Sequence, residues 1–441
     1  MTQVVSVIPT IHKSAAILNG AFQKLKDVEE VLSFFESLNP SDTVLALMGG
    51  PGQNLFVRAQ QMGLNVQRIP WFTLEKLEPG AAGADAEVRA RALKDAWESD
   101  PGEFYPLAEL DETIVMLREL TRVRLNIQEY RKMATLQYKA TARDLEPIMP
   151  DAAPFAAMRT MFANPGMITG AKADEQVLET RITSLSRTLD IWSWLHPGKG
   201  TVLPEVKGLG PSLGGSLIGE ILDIKRFPTP VHLRAYARFH VAERQALPGE
   251  QPTHFKADPK TQELVGYVGT FPRRRRGEVS SWNRYLNRAV WLWSTDQMPR
   301  YDHVWRDIYY HFKWQEMQAH PEAEGYTLTK ELDDGSIKTK HVYRYTLGHL
   351  DKRAKRRTGS ALLEYVWGLW SAGGAGQDVE QWFRTTIRNP TAPPETHSTW
   401  DQFLNSTIAG EVAGGLYEQV KQEADRRRTQ EPQSEDEESE D

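Results

Sequence analysis

The segment Leu203 to Ile221, LPEVKGLGPSLGGSLIGEI, combines glycine and lysine in a pattern suited to holding an anion. Its apolar residues flank a tight Gly208-Leu209-Gly210 turn, and Gly214, Gly215 and Gly219 follow on a predicted helix. The first N–H groups of a helix have no earlier carbonyl to satisfy them, and the helix dipole adds positive potential at that end. A loop left bare of side chains lets such donors hold one phosphate of a nucleic-acid backbone. Gly208 and Gly210 permit that close approach and a positive φ where the turn needs one. Lys199 and Lys207 place cationic charge nearby. This is a helix–hairpin–helix pattern, a grip on DNA that does not depend on sequence. The same glycines would also suit a packing corner between two closely approaching helices, and the residues alone leave both readings open.

Two basic blocks point the same way. Arg273, Arg274, Arg275 and Arg276 precede SSWNRYLNRAVWLWS, a predicted helix on which Arg284 and Arg288 share a face. Arginine forks can hold phosphates in two-point contacts and position a duplex without reading its bases. Trp282, Tyr285, Leu286, Ala289, Val290 and Trp293 form the other face, which is expected to be core. The second block, KRAKRR, contains Lys352, Arg353, Lys355, Arg356 and Arg357 and is expected to introduce a helix over Thr358 to Trp370. Cations at a helix start oppose its dipole, which points to an anionic partner there. The formal net charge is −6, yet the last eleven residues, EPQSEDEESED from Glu431 to Asp441, hold seven acids and no base. Without them 52 acids face 53 basic residues, and the charge pattern leaves two readings open: an acidic end that competes with a polyanion for the basic patches, or a solvated face with a solubilising tail.

Other chemistries lack their residues. The chain has no cysteine, which excludes disulfides, thiol nucleophiles and cysteine-based metal sites. The histidines show no paired ligand spacing, Gly49-Gly50-Pro51-Gly52 lacks the Lys-Ser/Thr of a phosphate-binding P-loop, and no Gly-x-Ser-x-Gly elbow occurs. No run approaches the ~20 apolar residues of a membrane span, and the opening MTQVVSVIPTIHK has no secretory pattern. The expectation is a cytoplasmic protein without a resident cofactor.

A chain of 441 residues implies about two to four domains. Val4 to Ile8 predicts a strand, Asn19-Gly20 a turn, and Val28, Val31, Leu32, Phe35 and Leu38 a helix closed by Asn39-Pro40. Thr43 to Met48 (TVLALM) predicts a buried strand, Asn54 to Met62 a helix and Asn65 to Ile69 another strand. Strands alternating with helices imply a parallel or mixed sheet covered on its faces. Asp85 to Ser99 predicts a helix, and Leu107 to about Arg143 a long charged one with a narrow apolar stripe, as in a coiled-coil arm. A second polar helix is expected from Ala173 to Leu195, a loop-rich stretch with a possible hairpin over Leu247 to Gly277, and a helix from Tyr301 to Ala319. The final ~70 residues are expected to be loop-rich, with a disordered end.

VKGLGPSLGGSLIGEILDIKRFPTPVHLRAYARF resembles the C-terminal domain of the insertion-sequence 110 family of transposases, which includes the pilin-gene invertases. The similarity runs through Gly208, Gly210, Pro211, Gly219, Glu220, Ile221, Asp223, Ile224, Arg226, Phe227, Tyr236 and Ala237. Downstream, Gly277 and Asn283-Arg284-Tyr285-Leu286-Asn287-Arg288-Ala289 are similar to a second block of the family. The resemblance covers about residues 1 to 295 and is strong over 203 to 289. It implies an α/β plus α architecture: a ribonuclease-H/RuvC-like N-terminal domain over 1–105, a helical coiled-coil arm over 106–197 and a mostly α helix–hairpin–helix domain over 198–295. A basic helical extension over 296–372 and a loop-rich, disordered acidic tail over 373–441 complete this division.

The family cuts and rejoins DNA, guided by a structured RNA, with four acids that hold divalent metal and a serine nucleophile. Hard cations such as Mg²⁺ require several oxygen ligands, and two metals flank a transferring phosphate. Here Ser6 stands on the first strand, Leu47 or Met48 occupies the position of the expected Glu, and Asp-x-x-Asp-Ala is reduced to Ala92-Leu93-Lys94-Asp95-Ala96. Only Asp95 matches as a catalytic acid, with Asp85 and Glu87 as nearby substitutes. Ala246 replaces the serine, unless Ser280 or Ser281 supplies it from a lengthened loop. The expectation is a protein that binds DNA, with a structured RNA as a further candidate partner, as a homo-oligomer built through the arm, with cleavage lost. Mg²⁺ belongs only to the alternative of an active recombinase with a rebuilt site. A third alternative is an interaction scaffold without nucleic acid.

Overall fold

The computed structural model describes residues 3–9, 14–18, 20–48, 52–81, 84–107, 110–145, 166–197, 206–240, 242–245, 254–257, 264–270, 282–301, 304–331, 337–375 and 413–429. Contacts divide the chain into two compact units, Met1–Trp192 with Gly214–Pro228, and Ser193–Leu213 with Thr229–Asp441. This division separates the Gly208 turn from most of the helix that follows it, a cut absent from the five segments read in the sequence.

The first unit is built on a mixed sheet. Strands β1 (Val4–Ile8), β2 (Ser14–Leu18) and β3 (Ala21–Leu25) form an antiparallel meander. Gly20, at φ 80°, supplies the left-handed residue of the β2–β3 turn. Helix α1 (Val28–Glu36) follows, its first turn capped by the Asp27 carboxylate, which accepts from the Glu30 amide at 2.9 Å. Strand β4 (Thr43–Met48) runs parallel to β1, helix α2 (Gln53–Gln61) leads to β5 (Asn65–Pro70), and β5 runs parallel to β4. Every residue of β4 is buried, the reason this central strand reads as an unbroken apolar run. Helices α3 (Trp71–Leu77) and α4 (Ala86–Ser99) precede β6 (Tyr105–Pro106), an antiparallel edge, and the order is β3-β2-β1-β4-β5-β6. One face of the sheet packs Ile8, Ile17, Leu45, Leu47 and Ile69 against Ala90, Leu93 and Ala96 of α4.

Helix α5 (Leu110–Leu145) is long, and its first half carries a buried stripe of Ile114, Val115, Leu117, Arg118, Thr121 and Leu125. Helix α6 (Gly166–Ser186) runs antiparallel to it, with Arg131 paired to Glu175 at 2.5 Å and Arg124 to Glu179 at 3.4 Å. The expected single helix to Leu195 is divided. After Ser186 the chain tightens, Leu189 donating to the Ser186 carbonyl and burying its side chain, before α7 (Asp190–Leu195). Helix α8 (Pro211–Ile221) starts in the second unit and ends in the first.

In the second unit, α9 (Pro230–Tyr236) opens with proline at its first turn. Strands β7 (Ala242–Gln245), β8 (His254–Ala257) and β9 (Leu264–Thr270) form an antiparallel sheet in the order β7-β9-β8, where the sequence suggested loops and a hairpin. Helix α10 (Arg284–Leu292) continues into a π-helical turn over Trp293–Gln297, and α11 (Val304–Ala319) follows. The ribbon of β10 (Glu324–Glu331) and β11 (Ile337–Arg344) leads to α12 (Leu347–Ser371) and then α13 (Ala413–Arg428).

Two expectations are corrected here. Helix α12 does not begin at Thr358. It is capped by Thr346, whose hydroxyl accepts from the His349 amide at 3.3 Å, so KRAKRR lies inside the helix. Leu350, Ala354, Thr358, Ala361 and Tyr365 are its buried stripe, and the cations occupy the positions between. The chain end is also not wholly loop. Arg427 of α13 is buried and donates to the carbonyls of Met317 at 2.7 Å and His320 at 2.8 Å, satisfying the open C-terminal end of α11. Glu431 to Asp441 lie outside the described residues. Among the described residues no helix is long and apolar enough to cross a membrane.

Candidate nucleic-acid interface

The turn that carries the hairpin motif is closed by the Leu209 amide, which donates to the Val206 carbonyl at 3.1 Å. Trp293 Nε1 donates to the Lys207 carbonyl at 3.0 Å, and His196 Nε2 lies 2.8 Å from the Leu209 carbonyl. Gly208 has φ 80°, and a Cβ there would stand 3.0 Å from Gln297 Cβ and 3.2 Å from Tyr301 Cε2. Its glycine is therefore required by the protein's own chain, not by an approaching ligand. Lys207 and Gly210 are exposed, and a Cβ on Gly210 would meet open space. The open part of the turn is confined to these two positions. Lys199 lies outside the described residues.

The glycines further along serve packing. A Cβ on Gly215 would come 2.9 Å from Ile182 Cγ2, and one on Gly219 only 2.8 Å from Arg118 Cα. Gly219 lets α8 approach the backbone of α5, and Gly215 leaves room for Ile182 of α6 and Leu117 and Thr121 of α5. Next to them Glu220 is buried and accepts from Arg122 at 2.5 and 2.7 Å and from Arg118 at 3.4 Å. Arg226 donates to the carbonyls of Glu220 and Ile221 at 3.3 and 3.1 Å, closing the end of α8. The Asp223 carboxylate accepts from the Lys225 amide at 2.9 Å and starts the short 3₁₀ turn Ile224–Arg226. The Gly-Glu-Ile, Asp-Ile and Arg-Phe residues are thus an inward-facing corner.

The second similar block is tied to the Tyr236-Ala237 end of the first. Asn283 accepts from the amides of Tyr285 and Leu286 at 2.9 and 3.0 Å, capping α10, while its Nδ2 donates to Tyr236 Oη at 2.8 Å. Asn287 Nδ2 donates to the Ala237 carbonyl at 2.9 Å. Leu286, Ala289, Val290 and Trp293 are buried, and Trp293 meets Trp305 edge-on at 5.4 Å. The aromatic face expected to be core is divided, however. Trp282 and Tyr285 are half-buried on the arginine side, with Arg238 at 4.7 Å over Trp282 and Arg284 at 4.6 Å over Tyr285. Arg284 is exposed and Arg288 half-buried. Arg273 to Arg276 lie outside the described residues.

The KRAKRR block is mostly committed inward. Arg353 and Arg357 pair with the buried Glu316 at 2.6 and 3.1 Å, and Arg357 also donates to Gln315 at 2.8 Å. Lys355 pairs with Asp351 at 2.7 Å, which also accepts from Lys313 at 3.0 Å and from the Tyr309 hydroxyl. Burial works to raise the Asp351 carboxyl, but Lys313, Lys355 and Tyr309 hold it below the usual range. Burial pushes the Tyr309 phenol up, and burial with Arg357 nearby pushes the His311 imidazole down to about 3. Lys352 alone in the block is exposed, and Arg356 lies 5.4 Å over Trp291 of α10. The block does not stand at a helix start, and Arg353, Lys355 and Arg357 balance α11's acid Glu316 and α12's own Asp351. Arg356 is the member that joins the α10 surface.

The acids do not assemble. Ser6, Leu47 and Met48 are buried, Ala92 packs in the core, and Asp95 is exposed on α4. Asp85 caps α4 by accepting from the Val88 amide at 3.0 Å, and Glu87 pairs with Arg91 at 2.7 Å. Among the described residues no group of three or more His, Asp or Glu side chains could hold a metal ion. Ser6, the apolar side chains of Leu47 and Met48, and the one exposed carboxylate of Asp95 do not fit a divalent cation. Ala246, Ser280 and Ser281 lie outside the described residues. The stacks of Arg238 on Trp282 and Arg356 on Trp291 were not read from the sequence. The spacing of Arg284, Arg288 and Trp291, i, i+4 and i+7, places Trp291 on the arginine side of α10, and the distant Arg238 and Arg356 leave no local signal. Compared with protein-family models and with curated proteins, the sequence matches none.

Proposed function

We propose that the protein binds nucleic acid, and that it is similar to a DNA transposase or site-specific recombinase whose cutting chemistry has been lost. The observation that carries this reading is the hydrogen bond from Trp293 Nε1 to the Lys207 carbonyl. It ties the exposed Lys207–Gly210 turn to the helix bearing Arg284 and Arg288, so two sequence-separated cationic elements belong to one unit. A phosphate backbone is the ligand that such dispersed cations suit.

The strand order β3-β2-β1-β4-β5, an antiparallel meander continued by two parallel strands, supports reading the first unit as ribonuclease-H/RuvC-like. The Val206–Gly210 turn running into α8 supports the helix–hairpin–helix reading. Loss of cleavage rests on the isolation of Asp95. Assembly as a homo-oligomer through the arm is supported by Met116, Val123 and Tyr130, exposed on α5 at intervals of seven residues. The scaffold alternative draws on Gly215 and Gly219, whose packing needs no nucleic acid.

Binding of labelled DNA and RNA, measured over a range of salt, tests the reading. Affinity is expected to fall steeply, with a log–log slope of about −0.9 for each phosphate neutralised on duplex DNA. Absence of binding to any nucleic acid at low salt would leave the scaffold reading. Incubation with Mg²⁺ or Mn²⁺ is expected to leave strands intact, and cleavage would restore the active-recombinase alternative.

A further inference from the structure

We infer that the outer face of α10 binds unpaired nucleotides by stacking, a single-stranded segment rather than duplex alone. This rests on the nucleic-acid reading above and adds the form of the ligand. Three aromatic rings on or beside α10, Trp282, Tyr285 and Trp291, are half-buried, and each has an arginine over it: Arg238 at 4.7 Å, Arg284 at 4.6 Å and Arg356 at 5.4 Å. The arginines come from three different elements, the chain after α9, α10 itself and α12. Arg288 lies one turn from both Arg284 and Trp291.

Each pair sets a guanidinium beside an aromatic ring, joining a cation to a π surface. Unpaired bases stack on aromatic rings and on guanidinium planes alike, while their phosphates need cations close by. A duplex has its bases already stacked and offers phosphates, for which arginines without rings would be sufficient. The segment from Trp282 to Thr295 contains arginine but no acid, so an anionic occupant fits. The rings are also separate from the core. The inner stripe of Leu286, Ala289, Val290 and Trp293 anchors the helix, and Tyr285 and Trp291 are not part of it.

The test uses the full-length chain with oligo(dT), oligo(U) and blunt duplex of about 16 nucleotides, and the variants Tyr285→Leu with Trp291→Leu, and Tyr285→Phe with Trp291→Phe. The leucine pair is expected to weaken binding of the single strands about tenfold or more, with duplex affinity nearly unchanged. Its salt slope should stay at the wild-type value, because stacking releases no counterions. The phenylalanine pair, which keeps both rings, should bind within about threefold of wild type. The ratio of oligo(U) to oligo(dT) affinity then assigns the strand to RNA or DNA. Equal losses on duplex and single strand, or no loss on either, overturn the stacking surface while leaving nucleic-acid binding in place. A wild-type chain that binds none of the three overturns both readings, and a protein partner then becomes the occupant of this face.

Discussion

The two sequence blocks that prompted the resemblance to a transposase have opposite fates in this molecule. The first, around Glu220, turns inward: Gly219 admits the backbone of α5, Gly215 the side chains beside it, and the carboxylate lies between Arg118 and Arg122. The second, Asn283 to Ala289, caps and anchors a helix with its asparagines and presents its arginines outward. Similarity of pattern therefore reports packing in one block and surface chemistry in the other. A charged residue in such a motif has to be located before it is given a function.

Perturbing each block should separate fold from binding. The largest effect is expected at Glu220. Glu220→Ala leaves Arg118 buried without its carboxylate and should cost about 3–5 kcal/mol in chemical denaturation. A loss below about 1 kcal/mol would mean that the corner is not held by this ion cluster. Arg353→Ala with Arg357→Ala comes next. It strips the buried Glu316 of both partners and should cost about 2–3 kcal/mol, while the salt slope of binding stays as in wild type. A flattened slope would return the KRAKRR block to the interface. Lys352→Ala should leave stability within about 0.5 kcal/mol.

The pH response should be smaller. His311, held neutral by burial and by Arg357, has a pKa near 3 in the folded chain, below its unfolded value. Its contribution to stability is complete above about pH 6.5 and is lost as pH falls toward 3. Between pH 6.5 and 5.5 wild type should lose about 1 kcal/mol more than His311→Gln in parallel denaturation curves. Identical curves would show that the imidazole is protonated without penalty. Removal of Glu431 to Asp441 should have the smallest effect, a few-fold tightening of non-specific binding at low salt through loss of like-charge repulsion. Equal affinity would make the tail a solubilising end only.

Much of the first unit was legible because its signals are local. TVLALM reads as a strand because it is buried on both faces, and Asp85 precedes α4 as a cap should. Strand β3, AFQKL, was not legible: four of its five residues are exposed on a sheet edge, so no alternation marks it. The start of α12 was hidden by its basic block, since the outer-face charges dominate a stripe built partly from Ala354 and Thr358. Helix α13 was missed because its fixed point is a buried arginine, Arg427, bound to carbonyls of α11, a distant partnership that composition cannot reveal. The inward role of Glu220 was likewise invisible, its arginine partners lying about a hundred residues earlier in the chain. The arginine side of α10 was readable from i, i+4 spacing, and the arginine–aromatic stacks that join it to Arg238 and Arg356 were not.

The central claim is that α10 contacts phosphates, and the salt dependence of binding for wild type against Arg284→Ala with Arg288→Ala tests it most directly. The account predicts a log–log slope shallower by about two, with a similar loss of affinity for every sequence tried and an unchanged denaturation midpoint. An unchanged slope and affinity in a folded double variant would contradict it.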